Sequence, residues 1–174
     1  QEIDIPIKIG YDNPFAIRYF HPWYEQPIKY ETIGGMVVVE MTLNHIYLLQ
    51  GWYANCPEHI MDLSYVNKYT KSKNRLEPRV LITNIFPSSQ FHETRCFKNG
   101  DCIVNKVNGV EVKTIDDFRR AIMCSSDVEY LTVETEGGSF AAVSLRQIVE
   151  EEDFLSMINV FPKSASNIID KAEG

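Results

Sequence analysis

The dipeptide Asn108-Gly109 restricts the fold more than any other short stretch, because it lies between two runs rich in β-branched residues. A two-residue hairpin turn needs positive φ at both central residues, and Asn-Gly is strongly preferred there. We therefore predict a β-hairpin formed by residues 103–107 and 110–112. Directly after it, Thr114 opens a helical pattern and Asp117 follows three residues later, a capping box with Asp in place of the preferred Glu. A hairpin followed at once by a capped helix favours a mixed α and β fold.

Further strands are predicted around this unit. Gly34-Gly35 precedes the apolar run Met36–Val39, which is typical of a buried strand launched from a glycine turn. Residues 80–82 form another strand, and residues 130–136 and 139–145 form a second hairpin about Gly137-Gly138. Near the start, Ile3, Ile5, Ile7 and Ile9 alternate with Asp4, Pro6 and Lys8, a pattern that predicts an edge strand.

Helices are predicted where the apolar spacing changes to three and four. Two short helices are expected in the stretch 43–66, the second behind Pro57, and the basic stretch 68–79 reads as a solvated connection. A last helix is predicted from Val149 to Asn159, with an acidic run at its start, where the helix dipole favours negative charge. The aromatic segment 19–24 is expected to pack on the core. Together these elements predict an α+β fold, a small and partly open β-barrel or sandwich with capping helices.

Composition narrows the function. The 174-residue chain carries a formal net charge of −7, which argues against binding to nucleic acid or anionic lipid. No apolar run reaches the roughly 20 residues of a membrane span. The first residues lack the basic and apolar regions of a signal peptide, and we expect the chain to be cut from something longer. The four cysteines have no metal-ligand spacing, and they favour reduced thiols of an intracellular or organellar protein, although a disulfide stays open.

Catalytic and cofactor patterns are missing from the sequence. The four histidines are scattered, so we predict no metal site. The chain has neither a phosphate-binding glycine loop nor a Gly-x-Ser-x-Gly elbow, and we predict no cofactor and no catalytic residue. A cysteine hydrolase remains a distant alternative, because a Cys–His pair can meet in the fold without leaving a spacing in the sequence.

A backbone recognition site is the stronger expectation. A glycine pair directly before a strand leaves amide N–H groups free to capture a C-terminal carboxylate, and the strand 36–41 could accept an extended peptide as an added strand. On spacing alone, Gly34-Gly35 is equally compatible with a simple tight turn.

Longer motifs decide between these readings. The runs Arg79-Val-Leu-Ile-Thr-Asn-Ile-Phe-Pro-Ser-Ser, Phe97-Lys-Asn-Gly-Asp-Cys-Ile-Val-Asn-Lys-Val-Asn-Gly-Val-Glu-Val and Thr114-Ile-Asp-Asp-Phe-Arg-Arg-Ala-Ile resemble a PDZ domain of the Deg/HtrA serine proteases. The long insertion and the C-terminal tail are similar to the second PDZ domain of the plant-type members. The resemblance implies three regions: an N-terminal strand and aromatic segment over 1–33, a PDZ-like core over 34–145 with a helical insertion at about 43–78, and a C-terminal helix and tail over 146–174.

The resemblance also implies the site and its partners. The residues expected to line the peptide groove are Gly34, Gly35, Met36, Val37, Val38, Val39, Ile115, Phe118, Arg119 and Ile122. Val38 stands where peptide-binding members often have a second glycine, which weighs against capture of free peptides. The expected partners are peptide or protein segments, including segments of the protein itself, and further copies through a parent protease.

The function predicted from the resemblance is a non-catalytic module that assembles and regulates a trypsin-like endopeptidase. The alternative is a PDZ-like scaffold protein unconnected with proteolysis, which would dock its partner through residues 19–24. The sequence does not fix the compartment.

Overall fold

The computed structural model describes residues 14–54, 64–97, 102–123 and 129–159. Within these ranges the strands are β1 (Tyr30–Ile33), β2 (Met36–Glu40), β3 (Val80–Ile85), β4 (Ile103–Val107), β5 (Val110–Glu111), β6 (Tyr130–Thr135) and β7 (Phe140–Ser144). The α-helices are α1 (Leu43–Ala54), α2 (Ser64–Asn67), α3 (Gln90–Thr94), α4 (Ile115–Met123) and α5 (Leu145–Asn159). Two short 3₁₀ turns, Lys68–Thr70 and Ser72–Asn74, lie between α2 and β3.

The strands form one antiparallel sheet in the order β1-β2-β3-β4-β6-β7, with β5 paired to β4. Short turns join β1 to β2, β4 to β5 and β6 to β7, whereas longer connections lead from β2 to β3, from β3 to β4 and from β5 to β6. The sheet and the helices packed on it confirm the predicted α+β, PDZ-like fold.

The central strands are covered on both faces, which explains their continuous apolar runs. Val80 and Ile82 point into the main core with Phe118 of α4 and Leu131 of β6. Leu81 points the other way, into a second cluster. That second cluster consists of Ile17, Met41, Leu43, Ile46, Val66, Tyr69, Leu81 and Ile103. The described parts of the stretch 43–78 thus contribute Leu43, Ile46, Val66 and Tyr69 to a second apolar layer.

The turn predictions are confirmed. Asn108 and Gly109 have φ of 50° and 77°, the left-handed values that a two-residue hairpin needs. The capping box at α4 forms in both directions: the amide of Asp117 donates to the Thr114 hydroxyl at 3.1 Å, and the amide of Thr114 donates to the Asp117 carboxylate at 3.0 Å. The second hairpin forms from β6 and β7.

Two expectations about helices were wrong, and two other predictions concern residues outside the described ranges. Helix α5 begins at Leu145, four residues before the predicted start, so its acidic run lies beyond the first turn. Helix α3 was not predicted; Ser89 caps it by accepting a hydrogen bond from the amide of His92. The predicted strand at residues 3–9 and the helix start at Pro57 lie outside the described residues.

The expectation that the aromatic segment 19–24 packs on the core was wrong for its tip. Trp23 and Tyr24 are each 89% exposed. The segment is held to the body of the protein by the fully buried Ile17 just before it, by hydrogen bonds between Phe20 and Asn44, and by the stacking of Tyr19 on Tyr47.

Candidate functional site

The predicted groove lies along β2, between that strand and helix α4. Strand β2 pairs with β3 on one edge and with β1 on the other, both antiparallel. Because β1 holds the second edge, both edges of β2 have a strand partner. An incoming peptide that added to β2 as a strand would have to take the place of β1.

The Gly34-Gly35 turn connects β1 to β2 and determines their register. The two glycines have φ of 54° and 76°, the left-handed pair of a tight hairpin turn. Ile33 lies opposite Met36, and the pairing runs from there to Tyr30 opposite Val39. Of the two readings left open by the sequence, the tight turn is therefore the conformation observed.

The turn is also tightly packed. A side chain added at Gly35 would place its Cβ 2.3 Å from the Cβ of Ser89, and one at Gly34 would meet Phe91 and Ile148 at about 3 Å. The carbonyl of Gly35 accepts a hydrogen bond from the amide of Phe86 at 2.8 Å. The loop expected to capture a carboxylate thus lies against α3 and α5.

Charged side chains tie β1 to α4. Glu31 is only 5% exposed, and its carboxylate accepts a hydrogen bond from Nε of Arg119 at 2.6 Å. The same guanidinium donates to the backbone carbonyl of Tyr30 at 3.3 Å and to Asp116 at 3.3 Å. Lys29 donates to Asp116 at 2.8 Å. Lys29, Asp116, Arg119 and Glu31 thus form a chain of alternating charges between the strand and the helix.

The pKa shifts agree with this geometry. The hydrogen bond to Glu31 raises the pKa of Arg119 above its ordinary value. The Lys29 ammonium lowers the pKa of Asp116, and Asp116 in turn raises the pKa of Lys29. Each of these three groups therefore stays charged through the neutral range.

The predicted groove residues are brought together, but their side chains face the core. Ile115, Phe118 and Ile122 of α4 are buried in the same cluster as Met36 and Val38 of β2. Ile33 of β1 lies in that cluster too, so β1 contributes to the apolar filling between strand and helix. Val37 and Val39 are half-buried and point to the opposite face.

Sequence reasoning missed Lys29, Glu31 and Asp116. The stretch Tyr30-Glu31-Thr32-Ile33 directly before Gly-Gly could have been recognised as the first half of a two-residue hairpin. The partner of Glu31 could not have been found this way, since Arg119 lies 88 residues further along the chain.

Side chains that could carry catalysis serve structural roles where the structure shows their contacts. His45 accepts the amide of Thr42 at 3.0 Å and shares a hydrogen bond with its hydroxyl, and burial lowers the pKa of its ring. The thiol of Cys96 donates to the carbonyl of Thr94 at 3.3 Å. Among the described residues no group of three metal-ligating side chains comes together, and no helix there is long and apolar enough to cross a membrane.

Comparison with known proteins gives one family. A family model described as a PDZ domain matches residues 21–165, which is most of the chain. A search of curated proteins found no match.

Proposed function

The chain belongs to the PDZ domain family, and from that premise we propose that it is the non-catalytic assembly and regulatory module of a Deg/HtrA-like serine endopeptidase. PDZ domains are protein-interaction modules that typically add a peptide strand to an exposed sheet edge. Here β1 already pairs with the edge of β2, and this single observation favours binding between parts of an assembly over capture of free C-termini.

The geometry of β1 supports this proposal. It runs antiparallel to β2, lies against α4, and ends at the glycine turn expected to receive a ligand carboxylate. A bound C-terminal peptide would take the same place and direction. We therefore infer that β1 occupies the groove as a segment of the protein itself, with Ile33 filling the pocket of a terminal side chain.

The groove is tested by titrating a panel of free C-terminal peptides against the chain and against a variant in which the strand is weakened. In Glu31→Arg, the new side chain faces Arg119, and like charges at this distance destabilise the seated strand. We expect the wild type to bind no peptide with a dissociation constant below about 1 mM. The variant should bind the free peptide Lys-Tyr-Glu-Thr-Ile, because the Glu of this peptide restores the pair with Arg119.

A peptide with Arg in place of Glu is the matched control and should not bind the variant. If the wild-type chain bound free C-terminal peptides at the micromolar level of an open groove, the self-occupied reading would be wrong.

The parent is tested separately. We expect the full-length protein to carry a trypsin-like domain upstream of Gln1 and to react with a fluorophosphonate probe for serine hydrolases. Deleting the present domain should change the size of the assembly and leave the nucleophile reactive. A full-length protein with no such domain would refute the link to proteolysis.

A scaffold protein outside proteolysis is the second candidate, and it would dock its partner through the exposed Trp23 and Tyr24. Clustered exposed aromatic side chains suit an interaction site outside the groove, whichever parent carries them. The upstream sequence distinguishes the two candidates.

A further inference from the structure

The turn at residues 21–25 is built to hold its shape. The amides of Tyr24 and Glu25 both donate to the carbonyl of His21, at 3.0 and 3.1 Å. Arg18 binds Glu25 through both terminal nitrogens, at 2.6 and 2.5 Å. A bidentate pair of this kind closes the turn with directional bonds.

The turn is also attached firmly to α1. The amide of Phe20 donates to the side chain of Asn44 at 2.8 Å, and the Asn44 amide group donates back to the Phe20 carbonyl at 3.2 Å. The amide of Leu43 donates to the carbonyl of Arg18 at 3.0 Å. The turn therefore carries its side chains on a fixed base.

The side chains on this base are aromatic and face solvent. Trp23 and Tyr24 are 89% exposed, and Tyr19 stacks on Tyr47 of α1 with ring centroids 5.4 Å apart. Leu48, next to Tyr47, is 70% exposed. We call these five residues the aromatic surface. Tyr and Trp supply large contact area at low entropic cost, and holding them in place beforehand favours association.

The exposed area suits contact with a second copy, and the local charge at this surface does not oppose it. A buried aromatic side chain contributes about 150–250 Å², so at their observed exposures the four rings offer roughly 550 Å². Together with Leu48, which is 70% exposed, this is most of the roughly 800 Å² per partner that a standard interface buries. The chain has a net charge of −7, so copies repel one another in general. At the turn, Arg18 and Glu25 neutralise each other, and the five side chains are uncharged.

We propose that the aromatic surface is a self-association interface, in which the turn at residues 21–25 of one copy packs against the same surface of a second copy. The contact is isologous, with Trp23 and Tyr24 as its central side chains. This deepens the assembly part of the proposed function, but it does not require a protease parent or an occupied groove.

The test is sedimentation equilibrium of the 174-residue chain, wild type and Trp23→Ala/Tyr24→Ala, over concentrations up to a few hundred micromolar. We expect a concentration-dependent dimer for the wild type, and a dissociation constant at least tenfold higher for the double variant. Because both side chains are almost fully exposed, the melting temperature of the dilute variant should match that of the wild type.

Tyr130→Ala/Phe140→Ala is the matched control, since these two rings are 47% and 56% exposed and belong to β6 and β7. It should dimerise like the wild type. A second readout uses Trp52→Phe, which leaves Trp23 as the sole tryptophan of the chain. Its emission should shift to shorter wavelength, and iodide quenching should fall, as concentration rises.

A wild-type chain that stays monomeric would overturn the proposal. A dimer that survives in the double variant, or is lost equally in the control, would overturn it as well. Neither result bears on the parent, because the fluorophosphonate reaction and the upstream sequence decide that question independently.

Discussion

The ion pair between Glu31 and Arg119 offers the sharpest test of how β1 is held. Replacing Arg119 by Met keeps much of its aliphatic packing and removes the charge that faces a carboxylate only 5% exposed. Removing one partner of a buried pair costs about 3–5 kcal/mol, because the other charge is left unpaired. The Arg119 side chain is itself 40% exposed, so water supplies part of the lost interaction. We therefore expect Arg119→Met to lower the free energy of unfolding by about 2–3 kcal/mol.

The assay is urea unfolding of the wild type, Arg119→Met, Glu31→Gln and the double variant. With a slope near 2 kcal/mol per molar urea, the midpoint of Arg119→Met should fall by about 1 M. In a chain of this size the melting temperature should fall by about 4–12 °C. The double variant should lose less than the sum of the single losses, which gives a coupling energy of about 2 kcal/mol.

Arg146→Met is the matched control. Arg146 bonds Glu150 at 2.9 Å on the surface of α5, with side chains 87% and 60% exposed. An exposed pair of this kind contributes under about 0.5 kcal/mol. If Arg119→Met cost no more than Arg146→Met, or the coupling energy fell below about 0.5 kcal/mol, the pair would not hold β1 against α4.

Three further results are expected. Gly35→Ala should cost at least about 3 kcal/mol in urea unfolding, because its Cβ would stand 2.3 Å from a neighbouring carbon. Gly109→Ala should cost only about 1–2 kcal/mol, since its φ is similar but nothing lies within 4 Å; equal losses would contradict the packing argument. Hydrogen bonding at the capping box lowers the pKa of Asp117, so its contribution is present above the unfolded pKa near 3.9 and is lost as pH falls through the folded pKa. Asp117→Asn should therefore cost about 1 kcal/mol at pH 7, and a stability difference that persisted unchanged at pH 2 would refute this. Glu136→Gln should lower the free energy of unfolding by about 2 kcal/mol, measured by thermal melting. The reason is that the half-buried carboxylate accepts a hydrogen bond from the Tyr69 hydroxyl at 2.7 Å and pairs with two cations. A loss under about 0.5 kcal/mol would argue against that network.

Local turn chemistry is the part of this fold that could be predicted. The hairpin at Asn108-Gly109 and the capping box at Thr114 depend on residues within four positions of one another, and both formed as expected. Helix α3 escaped prediction because it is only five residues long and lacks the usual glycine at its C-terminal end, although Ser89 is a preferred N-cap. Ser88 before it and Arg95 at its C-terminal end both take positive φ, of 66° and 51°, although neither is glycine.

Long-range pairing is the part that could not be predicted. Nothing within reach of Glu31 in the sequence indicates that its carboxylate will be buried, since its cation comes from 88 positions away. The prediction that the aromatic segment packs on the core was wrong for a related reason. Counting rings in residues 19–24 predicted burial, but the anchors turned out to be Ile17, the backbone and Asn44, which left Trp23 and Tyr24 free to face solvent.

The proposed occupation of the groove by β1 changes what the groove can bind. The two-residue link through Gly34-Gly35 keeps β1 at its site at a high effective concentration, so a free peptide competes against an intramolecular partner. If β1 occupies the groove all but about 1% of the time, an intrinsic dissociation constant of about 10 μM becomes about 1 mM. A segment already held in the same assembly is not limited in this way, because its own effective concentration can reach the millimolar range. A groove occupied by β1, as we propose, therefore selects against free C-termini and in favour of partners delivered by assembly. The proposed self-association through the aromatic surface would give such an assembly a contact that leaves the groove closed.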